Sequence, residues 1–231
     1  MERNLIMKPK PSPPRLFPLH ESLRIGICLA IVGGILDAHT YLFRGGVFAN
    51  AQTGNMVLFG ISVAEQEWLR AFYYLIPIGA FFLGVAVTEL LKRKISEQAF
   101  LNWRHTILLI EAVLLCVMGF CPQSFPNAIV NVAVSFICSL QVNAFRTLKG
   151  NAYATTMCTG NLRSAAEQLC RYWFDHDHKA LSHALHYFVI IFFFCCGAAI
   201  GAFLTEFLSG GTLWVCSGML FFTLLMLITD E

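Results

Sequence analysis

Long apolar runs separated by short polar breaks dominate this chain. The first extends from about residue 23 to 43 and ends at Arg44-Gly45-Gly46. A helix needs about 20 apolar residues to cross a bilayer, and this run is long enough. Later runs of similar character lie at about residues 71–91, 106–121, 128–148, 184–208 and 213–228. The pattern therefore predicts six transmembrane helices.

Two further segments are weaker and shorter. Residues 47–64 are interrupted by Gln52-Thr53-Gly54-Asn55, and residues 151–171 are the least hydrophobic of all. From Asn161 onward the second segment is typical of an amphipathic helix, because its apolar residues recur at helical spacing. We predict that both segments are short, broken or re-entrant helices.

The composition identifies the class of protein. Hydrophobic residues make up 57% of the 231 residues and charged residues only 13%, whereas about a quarter of a soluble domain is charged. The chain is therefore expected to be an integral membrane protein, with the lipid bilayer as its main partner. Its net charge of +2 is too small to indicate nucleic-acid binding. The nine cysteines lie mostly in apolar runs, where we interpret them as packing residues rather than metal ligands. No cofactor is predicted.

Several short motifs recur in the same order in the two halves of the chain. Thr53-Gly54-Asn55 returns as Thr159-Gly160-Asn161, and at the same spacing Asp37-Ala38 falls on Asn143-Ala144. Further on, Gly84 with Thr88-Glu89 resembles Gly201 with Thr205-Glu206. We interpret this order as a duplication within one membrane domain. The expected parts are a disordered cytoplasmic tail at 1–20, a first repeat at 21–121 and a second repeat at 122–231.

The basic residues favour one topology. Positive charges concentrate in cytoplasmic loops of membrane proteins. If all eight segments crossed, Lys92-Arg93-Lys94 would lie outside the cell. If the two short segments instead enter and leave on one side, the basic clusters all lie in the cytoplasm, as do both termini. Six crossings result, three in each half, and an odd number makes the halves antiparallel. This 3+3 inverted repeat is common in secondary transporters.

Polar residues within these apolar surroundings are the candidate site. Asp37 is the strongest candidate, since a carboxylate inside a span costs about 3 kcal/mol unless it has a partner. The expected substrate-binding set is Asp37, Thr53, Asn55, Gln141, Asn143, Thr159 and Asn161. Each has a structural alternative: Asp37 pairs with Arg44 or caps a helix, the Thr-Gly-Asn motifs cap helices, and Gln141 and Asn143 bridge helices.

Other polar residues have plainer interpretations. We expect Arg44 and Arg146 to anchor their spans at the membrane interface. Glu111, early in a span, is expected to make a local polar contact. The histidine-rich loop at 175–186 is interpreted as solvated, with metal binding as the alternative.

Four motifs resemble those of the YoaK-like family of bacterial inner-membrane proteins. They are Gly34-Ile-Leu-Asp-Ala38, Gly45-Gly-Val-Phe-Ala-Asn-Ala-Gln-Thr-Gly-Asn55, Ser139-Leu-Gln-Val-Asn-Ala144 and Ala154-Thr-Thr-Met-Cys-Thr-Gly-Asn-Leu162. The resemblance covers residues 22–228 and implies a multi-pass protein of the bacterial inner membrane. It implies no particular activity. The chain departs from the family pattern at His39 and at Asn50-Ala51-Gln52.

The leading functional hypothesis is a secondary transporter or channel-like carrier of a small solute or ion. The alternative is a non-transporting membrane scaffold or accessory protein, in which the polar motifs only lock helices together. Homo-oligomerisation is open in either case. An intramembrane enzyme is the weakest hypothesis, because Glu111 and the histidine loop are predicted to lie apart from the Thr-Gly-Asn motifs. We therefore expect no enzymatic activity.

Overall fold

Eight α-helices make up most of the chain in the computed structural model, which describes residues 17–97, 99 and 101–230. They are α1 Leu23–Phe43, α2 Gln52–Ala64, α3 Trp68–Lys94, α4 Trp103–Gly119, α5 Asn127–Ala144, α6 Cys158–Asp175, α7 His178–Leu208 and α8 Thr212–Asp230. An antiparallel pair of strands, β1 Thr147–Leu148 and β2 Asn151–Ala152, lies between α5 and α6. Short 3-10 helices occur at Leu19–Glu21 and Ser209–Gly211. Residues 1–16 of the predicted tail lie outside the described residues.

The protein is an all-α membrane protein, as its composition predicts. Within the described residues, four segments are long and apolar enough to cross a membrane: Leu23–Phe43, Trp68–Lys94, Asn127–Ala144 and His178–Thr229. The last of these contains both α7 and α8. Helix α4 has 17 residues and is slightly shorter than these spans. The number of crossings stays a prediction.

Local sequence signals explain where several helices begin and end. Ser22 and Asn102 cap α1 and α4, since their side chains accept backbone N–H groups of the first turn. Helix α1 ends where Gly45 and Gly46 take φ values of +86° and +76°, which glycine adopts readily. Helix α5 ends at Ala144 rather than near residue 148, because the chain turns there into the β1–β2 hairpin.

Small residues let the central helices approach closely. Helix α1 packs against α7, and a Cβ atom on Gly34 or Gly197 would overlap the main chain of the opposite helix. Helix α5 packs against α3, where a Cβ on Gly84 would overlap the side chain of Ser139. The remaining large contacts are α2 with α3, α6 with α7, and α4 with α8.

The bundle has two chemically different ends. At the basic end, Arg104 pairs with Glu97 at 2.9 Å and the amide of Lys149 donates to the carbonyl of Glu21. Burial, assisted by the charge of Arg104, lowers the pKa of His20 to about 4 at this end. At the turn end, the chain reverses before α5 and before α8, and Gly210 lies near the carbonyl of Cys121. The basic end also contains Lys92, Arg93 and Lys94, because Lys92 lies over the ring of Trp103 beside Arg104.

Candidate functional site

A cavity of about 740 Å³ lies where the two halves of the chain meet. Its walls come from α1, α3, α5 and α7, together with the first turns of α2 and α6 and the loops before them. The polar and charged residues of the lining are Asp37, Tyr41, Asn50, Gln52, Thr53, Asn143, Arg146, Thr156, Cys158 and Thr159. The rest of the lining is mainly apolar. The cavity is of the size that small-molecule sites usually have.

Asn55 fixes the loop that forms one wall. Its buried side chain accepts the amide of Phe48 at 3.1 Å and donates to the carbonyl of the same residue at 2.8 Å. The ring of Phe48 in turn stacks on Tyr41 of α1, with 4.7 Å between the ring centroids. Asn55 thus fixes the conformation of the loop that precedes α2, but its side chain does not line the cavity.

Asn161 does the same in the second half. It accepts the amide of Ala154 at 3.2 Å and donates to the carbonyl of Ala154 at 2.6 Å. The separation along the chain is seven residues in both halves. The asparagines of the two Thr-Gly-Asn motifs are therefore equivalent clamps on the preceding loops.

The threonines of the same motifs are placed differently. Thr53 and Thr159 are exposed and line the cavity. They belong to the first turns of α2 and α6, and neither helix has a side-chain cap at its N-terminus. Uncapped first turns leave backbone N–H groups without helical acceptors, and these carry partial positive charge. The cavity wall therefore includes two helix N-termini.

Asp37 lies in the cavity wall with 7% of its surface exposed. Its carboxylate accepts the amide of Asn50 at 2.7 Å, and the Asn50 side chain donates to the carbonyl of Gly33 at 3.2 Å. Among the described residues Asp37 has no basic partner within ion-pair distance, so the expected alternative of pairing with Arg44 is not seen. The carboxylate thus ties α1 to the loop before α2.

Asn50 and Thr156 occupy equivalent positions, each three residues before a Thr-Gly-Asn motif. Both line the cavity and both are 6% exposed. Within the described part of the chain, Oδ1 of Asn50 and Oγ1 of Thr156 have no hydrogen-bond partner. Buried polar atoms usually have partners, so these two oxygens are exceptions in the cavity wall.

Gln141 and Asn143 of α5 have separate roles. Gln141 is buried and donates to the carbonyl of Leu29 at 3.1 Å and to Oγ1 of Thr155 at 3.2 Å. Asn143 lines the cavity and donates to Oε1 of Glu89 at 3.0 Å. Four of the seven expected site residues thus line one cavity: Asp37, Thr53, Asn143 and Thr159. Asn55, Gln141 and Asn161 instead hold the elements around it.

Residues outside the expected set also line the cavity. Asn50 and Thr156 fall inside the longer family motifs at 45–55 and 154–162, and their equal spacing from the two Thr-Gly-Asn motifs is the signal that pairs them. Arg146, expected at the membrane interface, is exposed on the cavity wall. No sequence signal distinguishes Arg146 from an interface anchor, because both follow the end of a span.

Arg44 is not an interface anchor. Its side chain is fully buried and donates to the carbonyls of Cys121 at 2.9 Å and Pro122 at 3.2 Å. Tyr73 and Asn131 donate to its own carbonyl. Arg44 therefore joins the end of α1 to the turn before α5, where main-chain carbonyls replace water.

Two buried groups lie away from the cavity lining. Nδ1 of His39 lies 3.1 Å from Oγ1 of Thr205, which joins α1 to α7. Glu111 of α4 is fully buried, and neither carboxylate oxygen has a partner in the described part of the molecule. The local polar contact expected for Glu111 is therefore not found there.

The histidine-rich segment at 175–186 was predicted to be a loop, but it is largely helical, because α6 ends at Asp175 and α7 begins at His178. It contacts the β1–β2 hairpin. Nε2 of His186 lies 3.1 Å from Nζ of Lys149. Among the described residues there is no group of three or more His, Cys, Asp or Glu side chains that could hold a metal ion.

Comparisons with known proteins agree with the motifs. The family described as protein of unknown function (DUF1275) matches residues 25–226. The UPF0700 transmembrane protein YoaK of Bacillus subtilis (strain 168) is 28% identical over 179 residues, which cover 75% of this chain and 80% of that protein. No solved structure matches the chain.

Proposed function

The chain belongs to the DUF1275 family, as its YoaK-like motifs predicted, and we propose that it carries a small polar solute across a membrane through the cavity at Asp37. One observation supports this proposal above the others. Two equivalent loop–helix segments, one from each half, meet at a single cavity that contains a nearly buried carboxylate and unpartnered polar oxygens. Secondary transporters bind their substrates at such meetings of broken helices.

The helix contacts support a duplicated architecture. If each helix of the first half is exchanged for its counterpart in the second, the pair α1–α7 becomes α5–α3 and the pair α2–α3 becomes α6–α7. The pair α4–α8 is unchanged by the exchange. A two-fold relation of this kind is what an inverted repeat of three crossings per half would produce. In this proposal α2 and α6 are re-entrant and reach the cavity from opposite sides.

The charges support an orientation. Lys92, Arg93 and Lys94 end α3 near the basic end, and by the positive-inside rule that end faces the cytoplasm. The turn end would then face the periplasm of a bacterial inner membrane. The two halves can rock about the cavity to expose it to either side, as inverted repeats allow.

A membrane scaffold is the second candidate, and specific contacts favour it. Asn55, Asn161, Gln141 and Arg44 each donate at least one hydrogen bond to a main-chain carbonyl of the protein itself. A scaffold would need these locks and nothing more. It would not need a cavity with unpartnered polar atoms, and for this reason we favour the carrier.

Exchange across a membrane tests the proposal. The purified protein is reconstituted into liposomes loaded with a defined mixture of amino acids, organic acids and amines, and exchange with isotope-labelled external mixture is followed by mass spectrometry. We expect at least one compound to exchange faster than in empty liposomes. Asp37→Asn should abolish that exchange, because the substitution removes the only carboxylate among the residues that line the cavity.

Glu65→Gln provides the matched control. It also neutralises a carboxylate, but Glu65 is exposed beyond the end of α2 and should leave exchange unchanged. Equal exchange by the Asp37→Asn variant and the wild type would contradict the proposed site. Exchange of no compound by the wild type would favour the scaffold.

A further inference from the structure

Two unpaired charges of opposite sign share the cavity. Asp37 and Arg146 both line it, and neither has an ion-pair partner among the described residues. We infer that the carried solute is a zwitterion: a small molecule with a cationic group, an anionic group and an apolar body. This inference rests on the proposed function for its physiological meaning, but it concerns binding and is tested by binding.

The Asp37 side of the cavity offers acceptors. The carboxylate is nearly buried, and a buried charge without an ion-pair partner is costly even where it accepts a hydrogen bond. Asn50, whose amide Asp37 accepts, has an Oδ1 that receives no hydrogen bond from the described residues. Oγ1 of Thr156 also lacks a partner, and its side chain packs close to Gly33, the residue whose carbonyl binds Asn50. An ammonium group has three N–H donors and would match this set of acceptors.

The Arg146 side offers positive charge. Arg146 lies just beyond the end of α5, and its carbonyl accepts the amide of Tyr153, which holds its backbone in place. The carboxylate of Glu89 accepts a hydrogen bond from the side-chain amide of Asn143 and forms no ion pair with Arg146. A carboxylate would be stabilised by this charge, because guanidinium can bind it through two parallel hydrogen bonds.

Aromatic rings occupy much of the remaining wall. Tyr41, Phe48, Phe81 and Phe194 line the cavity. A small inorganic ion would leave these apolar surfaces unused, and a neutral apolar solute would leave both charges unpaired. A zwitterion of the size of an aromatic or aliphatic amino acid satisfies the charges and the rings together.

Three matched compounds test this class on the complete chain. L-phenylalanine carries both charges, L-phenylalaninamide carries only the cation, and N-acetyl-L-phenylalanine carries only the anion. L-leucine and L-methionine extend the zwitterions to aliphatic bodies. Binding is measured as the rise in unfolding temperature of the protein in nanodiscs, titrated to give a Kd. We expect a zwitterion to bind about ten to a hundred times more tightly than its singly charged analogues, because charged hydrogen bonds contribute more than neutral ones.

Two variants assign the ends of the ligand. Asp37→Asn should remove the advantage of the ammonium, so that phenylalanine and its N-acetyl derivative bind alike. Arg146→Gln should remove the advantage of the carboxylate, so that phenylalanine and its amide bind alike. Arg163→Gln is the control, because Arg163 lies on an exposed part of α6 and is paired with Glu167. It should leave every Kd unchanged.

The outcomes separate this inference from the carrier. Equal binding of zwitterions and singly charged analogues, or binding of none of the five compounds, would overturn the inference that the solute is a zwitterion. Tight zwitterion binding without exchange in liposomes would support it while contradicting the carrier. Exchange of a singly charged compound alone would support the carrier and overturn the zwitterion.

Discussion

The segments at 48–55 and 154–161 share one arrangement of main-chain contacts, which we call the frame, but they carry different side chains. In each, a buried asparagine binds the main chain seven residues earlier, and a threonine two residues before that asparagine lines the cavity. The helix that follows begins without a side-chain cap in both halves. The frame depends on main-chain geometry, and a duplication that keeps the Thr-Gly-Asn sequence keeps that geometry in both halves.

The side chains that fill the frame differ between the halves. Asp37 in the first half corresponds to Asn143 in the second, and Asn50 corresponds to Thr156. Arg44 is buried among carbonyls, whereas its counterpart Gly150 forms the turn of a hairpin with a φ of +79°. The comparison indicates that the frame is structural, and in the proposed carrier the solute would be bound by the residues that are not shared.

Removing the clamps should have the largest effect. Asn55→Ala and Asn161→Ala each remove two hydrogen bonds to the main chain and leave partly buried main-chain groups unpaired, and each should lower the free energy of unfolding by about 2–4 kcal/mol. Because the clamps are equivalent, the two losses should be similar. Titration with a denaturing detergent, followed by circular dichroism, measures both.

Thr53→Ala and Thr159→Ala are the controls for the clamps. Both threonines are exposed and are not seen to cap their helices, so stability should change by less than about 0.5 kcal/mol. A large loss in only one of the two asparagine variants would break the structural equivalence of the segments.

A smaller effect is expected at the paired glycines Gly84 and Gly201. A Cβ on Gly201 would lie 2.6 Å from Cα of Ile35, and one on Gly84 would lie 2.7 Å from the carbonyl of Phe136. Alanine at either position should lower the free energy of unfolding by about 1–3 kcal/mol, since the helices must move apart. Gly79→Ala is the control, because Gly79 has open space around it. Its substitution should preserve or raise stability, and a loss equal to that of Gly201→Ala would contradict the close packing.

Exchanging the unshared residues should have the smallest effect on stability. Asn143→Asp brings a second carboxylate close to Glu89, and we expect a loss of about 1–2 kcal/mol from like-charge repulsion. Asp37→Asn keeps the shape and can still accept the amide of Asn50, so the loss should stay below about 1 kcal/mol. Thermal unfolding of both variants checks this order. A larger loss for Asp37→Asn would mean that the carboxylate has a structural role.

Periodicity and composition predicted the helices well. An apolar run long enough to cross a membrane must satisfy its backbone hydrogen bonds within the protein, and a helix does so within one segment. The repeated motifs also pointed to the elements that form the cavity. They did not separate the threonines from the asparagines, since a cap, a clamp and a ligand-binding side chain require the same residue types. Which one forms depends on the main-chain groups nearby, and those are known only once the loops are placed.

The two arginines show a similar limit. Arg44 and Arg146 both follow the end of a span, and both were expected at the interface. The turn before α5 supplies two carbonyls to Arg44, whereas the described residues supply no ion-pair partner to Arg146. Contacts between residues far apart in the chain decide this difference, and neither periodicity nor local spacing contains them.

The central claim is that α2 and α6 enter the membrane without crossing it, so that the two halves have opposite orientations. Reporter fusions after Gln66 and after Glu97 test it directly, using alkaline phosphatase for periplasmic sites and a fluorescent protein for cytoplasmic ones. The account predicts that residue 66 is periplasmic and residue 97 cytoplasmic. If every helix crossed, with the N-terminus inside, both locations would be reversed, and that result would contradict the inverted repeat and the carrier built on it.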